Sequence, residues 1–91
     1  MRITYNVIAR VNPCAIVPAM GEVIDSLNNS LKGFDREFPI VGLESTITLC
    51  EVSANRELTN EEQSKMIVFM MEEFAKSLPK WEVQIVEFQR Q

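Results

Sequence analysis

Apolar and polar residues alternate through residues 2–11. Ile3, Tyr5, Val7, Ala9 and Val11 share one face, and Arg2, Thr4, Asn6, Ile8 and Arg10 share the other. A period of two with one apolar face predicts a half-buried strand. Only Ile8 interrupts the polar side. The period changes to three and four over residues 18–32. There Met20, Val23, Ile24, Leu27 and Leu31 line up, with Glu22, Asp25, Asn28 and Asn29 outside the stripe. That spacing predicts an amphipathic helix. Pro18 suits its first turn. Lys32-Gly33 suits its end, with a cation at the negative end of the dipole and a glycine free to take a left-handed cap.

The most fully signalled element is a second helix over residues 58–78. Thr59 and Glu62 have capping-box spacing, in which hydroxyl and carboxylate satisfy each other's backbone amides. Glu61 and Glu62 in the first turn and Lys76 in the last complement the dipole, and Pro79 stops the helix. Ile67, Met70, Met71, Phe74 and Leu78 form the stripe expected to face the core. Residues 66–71 are apolar without a break, and six residues cover about 1.7 turns. No single stripe contains them. Met66 and Phe69 or Val68 are therefore expected to point away from the primary core, toward a strand end, a loop or a partner chain. Adaptable Met side chains suit any of these.

Two further strands are predicted. In residues 46–52, rich in β-branched side chains, Ile47 and Leu49 face the core and Thr46, Thr48, Cys50 and Val52 face away. In residues 80–89, Trp81, Val83 and Ile85 lie on one face and Val86 and Phe88 on the other. Residues 35–41 read either as a short strand or as loop, with 42–45 as a turn. Pro39 lacks a ladder donor, so such a strand belongs on an edge. With it, the order is β-α-β-β-α-β, an α+β two-layer sandwich of the split, ferredoxin-like kind. One antiparallel sheet then carries both helices on one face. Without it, the order is β-α-β-α-β, with a three-stranded parallel sheet and right-handed crossovers. The half-polar first strand favours the split arrangement, because parallel strands are normally apolar on both faces. The two thiols separate these topologies. Cys14 and Cys50 would lie at neighbouring strand ends in the parallel sheet and at opposite edges in the split one.

Ninety-one residues suffice for one domain with a modest core. No apolar run approaches the roughly 20 residues of a membrane span. The chain enters its first strand without the pattern of a signal peptide, so a cytoplasmic location is the expectation. Two Cys make no disulfide framework, which agrees with a reducing compartment. The formal charge of −4 and the scattered basic residues, none adjacent to another, weigh against nucleic-acid binding. An acidic surface instead permits a basic protein partner.

The absence of His removes Ser-His and Cys-His nucleophile pairs and most zinc sites. The Cys are not paired in a C-x-x-C motif, and Gly21, Gly33 and Gly42 have no phosphate-loop spacing. No cofactor is expected. Residues 47–52, ITLCEV, carry neither the aromatic nor the basic residues of an RNA-binding strand. Glu51 continues the Ile47–Leu49 face and would turn toward the core side. In the parallel topology it would share a sheet edge with Arg10, Asn12, Ser53 and Asn55.

The split topology leaves one sheet face bare. Ile8, Cys50, Val52, Val86 and Phe88 would form an apolar patch there, bordered by Thr4, Asn6, Thr46, Thr48, Glu82 and Gln84. Together with Met66 and Phe69 on the second helix, this is the expected interaction surface. The function these features suggest is a small, acidic, non-enzymatic protein-binding module. It would act as an inhibitor or adaptor of the sort viruses and mobile elements encode, and it would form a homodimer through one of these surfaces. Two alternatives stand beside it. One is a small-molecule-binding or enzymatic oligomer with a pocket between sheet and helices, lined by the Met-rich helix. The other is a structural subunit of a larger assembly.

Overall fold

A computed structural model describes residues 2–11, 19–33, 38–46, 49–77 and 82–91. The elements run β1 (Ile3–Val11), α1 (Ala19–Leu31), β2 (Ile40–Ser45), β3 (Leu49–Ala54), α2 (Asn60–Ser77) and β4 (Val83–Arg90). The strands form one sheet in the order β2-β3-β1-β4, and every pairing is antiparallel. This is the split, ferredoxin-like α+β arrangement and not the parallel β-α-β-α-β alternative. Cys14 lies outside the described residues.

Local chemistry accounts for α2. The Glu62 amide donates to Thr59 Oγ1 at 3.2 Å, and the Thr59 amide donates to Glu62 Oε1 at 3.0 Å. Both halves of the capping box are thus formed. Arg56 donates through both terminal nitrogens to the same carboxylate, each at 2.7 Å. These bonds, Arg56 first and then the Thr59 amide, pull Glu62 down to about 2 from its ordinary 4.5. The start of α2 is also tied to the sheet, because the buried Leu58 amide donates to the Tyr5 hydroxyl at 2.9 Å. Helix α1 closes more simply. The Gly33 amide donates to Ser30 O at 3.1 Å, and no described glycine has a positive φ, so the expected left-handed cap is not used.

The core lies between the sheet and the two helices. Helix α1 supplies Val23, Ile24 and Leu27, and α2 supplies Met66, Met70 and Phe74. The core stripe of α2 is therefore rotated from the expected one. Ile67 and Met71 lie on its shoulder, half-buried, and Met66 is fully inside. The likeness of all six residues at 66–71 left the phase of this helix open in sequence, and packing resolved it.

Strand β2 begins later than expected. Residues 42–45, read as a turn, are strand, and the chain reverses after Ser45, where the Thr46 amide donates to Leu49 O at 3.2 Å. Residues 34–37 and 47–48 lie outside the described set. Pro39 stands just before the strand, and β2 is indeed an edge.

Both edge strands carry a register shift. On β4, Ile8 pairs with Glu87 and Ala9 with Ile85, so Val86 is an extra residue. On β2, Ile40 pairs with Ala54 and Gly42 with Ser53, so Val41 is extra. Bulges of this kind bend an edge and interrupt its ladder. The two extra valines are also among the most exposed large apolar residues, Val41 at 51% and Val86 at 49%.

Candidate interaction surface

Cross-strand register decides which way each side chain faces. Tyr5 pairs with Val52, and Val7 with Cys50 and Phe88. Directly opposed residues share a face. Tyr5 and Val7 are buried under the helices, so Cys50, Val52 and Phe88 are buried there too, at 0%, 0% and 8% exposure. These three do not belong to the uncovered face, where the strand patterns had put them. Two physical reasons account for this. In β3 the apolar residues Leu49 and Cys50 are adjacent, so alternation alone gives no phase. In β4 the bulge at Val86 adds one residue, so Ile85 and Phe88, three apart, face the same way. Met66 is likewise part of the core.

The uncovered face is mostly polar. Asn6 pairs with Glu51 and Gln89, Thr4 with Ser53, and Glu44 with Glu51. Gln91 Nε2 donates to Asn6 Oδ1 at 2.8 Å and to Glu51 Oε1 at 2.9 Å, and the Gln91 amide donates to Thr4 O at 3.0 Å. Glu51 is therefore on the outer face and partnered, not turned toward the core. The sheet-edge grouping that the parallel topology would build around Glu51 is not assembled among the described residues. Antiparallel pairing sets Glu51 opposite Asn6, while Arg10 pairs with Gln84 farther along β1, and Asn12 lies outside the described residues. Ile8 remains on this face, half-buried beside its register partner Leu49.

Two other places are geometrically distinctive. The first is the shoulder of α2. Val68 is 57% exposed. Half-buried Met71 follows three residues on and exposed Ala75 four beyond that, so the three share one side of the helix. Ile67 flanks them, and Ser64, Lys65 and Glu72 border them. Phe69 lies on the opposite shoulder, half-buried. The second is a groove of about 290 Å³ between the end of α1 and the β2 edge, lined by Asn28, Leu31, Lys32, Ile40, Val41 and Gly42. Within it, Asn28 Nδ2 donates to Leu43 O and the Leu43 amide donates to Asn28 Oδ1, both at 3.0 Å. Nothing in the sequence pattern singled out Asn28, which reads as an outward polar residue of α1.

Reactive groups are few. Burial, and then the neighbouring Glu51 carboxylate, push the Cys50 thiol up to about 12, so it stays protonated and unreactive. Among the described residues no cluster of His, Cys, Asp or Glu is arranged to hold a metal ion, and no helix is long and apolar enough to cross a membrane. Of the methionines of the Met-rich helix expected to line a pocket, Met70 is packed in the core at 0% exposure, and Met71 is half-buried beside it. No family model matches the chain, and no curated protein or solved structure matches it.

Proposed function

We propose that this chain is a non-enzymatic protein-binding module, of inhibitor or adaptor kind, whose contact surface is the exposed shoulder of α2. One observation carries the reading. Val68 stands 57% exposed in the middle of a capped helix, in line with Met71 and Ala75 and bordered by polar residues. An apolar strip with a polar rim is the pattern of a protein contact. The sheet face contributes less to this reading than the sequence pattern suggested, because three of its five apolar residues are internal. A second copy of the chain is the first partner to consider, since Val68, Met71 and Ala75 would pack against themselves about a two-fold axis.

Light scattering on a size-exclusion column across a concentration series tests this, with Val68→Glu beside the wild type. The wild-type mass is expected to rise with concentration above the 10.4 kDa of one chain, and Val68→Glu to stay there. Equal masses for the two proteins at every concentration would overturn self-association through α2.

A further inference from the structure

The outer side of α2 carries its charges in an order that a second copy can answer. Successive residues of a helix turn by about 100°, so Glu61, Lys65, Glu72 and Lys76 fall within one sector of about 60°. All of them are exposed, and they run along one border of Val68. Half-buried Ile67 and Met71 lie along the other border. About the point midway between Val68 and Phe69, Lys65 lies as far to one side as Glu72 to the other, and Glu61 as far as Lys76. Each basic residue is thus mirrored by an acidic one.

We propose that α2 packs against α2 of a second copy in antiparallel orientation, and that this charge order sets the orientation. The proposal rests on the self-association read above and adds its geometry. A two-fold axis perpendicular to both helices brings like borders together. Lys65 then stands opposite Glu72 of the second copy, and Glu61 opposite its Lys76. On the other border, Ile67 comes within one residue of Met71 of the second copy, about 1.5 Å along the helix. Val68 comes equally close to its own counterpart. One register therefore sets apolar on apolar and each of these charges against its opposite. An axis parallel to the helices would set the charged border against the Ile67 border and leave the charges unanswered. Charges flanking an apolar helix contact select partner and orientation in this way. Pairs already present on the helix compete little. Lys65 reaches Glu61 at 3.3 Å and Lys76 reaches Glu73 at 3.6 Å, each from an exposed position, and such pairs contribute little. Glu72 is in no ion pair among the described residues.

Sedimentation equilibrium over a concentration series, on the wild type, Lys65→Glu, Glu72→Lys and the double variant, tests the register. Each single change sets like charges opposite each other, and the dissociation constant is expected to rise about tenfold or more. In the double variant the pair is reversed but again opposite, and the constant is expected to return to the wild-type value or below. The unfavourable neighbours that these changes create within the helix, at 61 with 65 and at 72 with 76, persist in the double variant. Its recovery therefore reports contact between copies and not helix stability. Suppose the wild type associates and Val68→Glu does not, yet the single changes have no effect or the double variant fails to recover. The antiparallel register is then overturned and the α2 contact stands. Equal masses for wild type and Val68→Glu throughout overturn both.

Discussion

Replacing Phe88 and Val86 in turn by Glu tests the register of β4. The two residues lie two apart, so a regular strand would put both on one face and make the substitutions comparable. The bulge separates them. Phe88 is 8% exposed against the helices, with its ring centroid 6.2 Å from that of Tyr5, whereas Val86 is half exposed. Burying a Phe removes about 150–250 Å² from water, or about 4–6 kcal/mol at about 25 cal/mol per Å². Core truncations of Phe cost about 3–5 kcal/mol, and a buried unpaired carboxylate adds to that. A chain of 91 residues has about 5–14 kcal/mol in total. Phe88→Glu is therefore expected to lose most of the fold's stability, and Val86→Glu about 1 kcal/mol or less. Urea unfolding followed by far-ultraviolet circular dichroism reads both. Comparable losses in the two variants, or a Phe88→Glu protein within about 1 kcal/mol of the wild type, would refute the bulged register and the core built on it.

Tyr5→Phe removes the acceptor of the buried Leu58 amide and leaves that donor unsatisfied. A loss of about 1–3 kcal/mol in the same urea assay is expected, and an unchanged midpoint would mean the bond contributes nothing. The Glu62 carboxyl sits at about 2 in the folded chain and near 4.5 when free. Its contribution is thus fully present above pH 4.5 and is lost as pH falls from 4.5 toward 2. The stability gap between wild type and Glu62→Gln is expected to shrink across that window, and a gap constant from pH 6 to 2 would contradict it.

Legibility in the sequence followed the strength of local signals. The cap of α2 was readable because Thr59 and Glu62 act within three residues of each other. The core face of β1 was readable because Tyr5 and Val7 alternate with Thr4 and Asn6. The candidate surface was read less well. Of the residues expected to be presented to a partner, Cys50, Val52, Phe88 and Met66 are internal, whereas Ile8, Val86 and Phe69 remain at least partly accessible. Each error arose where the apolar pattern had no unique phase. Leu49 and Cys50 are neighbours in β3, six apolar residues are contiguous in α2, and one added residue in β4 inverts everything after it.

The sequence by itself determined the type of every element but β2, and with it the alternating strand and the two amphipathic helices. It also determined the helix cap and the preference for the split sheet. All of these rest on interactions within a few residues, or on the count of apolar positions per turn. Only the tertiary structure decided which side of β3, β4 and α2 is covered. That choice depends on which strand lies opposite which, and a single bulge changes the answer. The structure alone also disclosed the bond between Asn28 and Leu43. Fifteen residues separate the two in the chain. No local pattern encodes their meeting, which follows from α1 packing against the sheet edge and bringing a carboxamide to a backbone that would otherwise lack a partner.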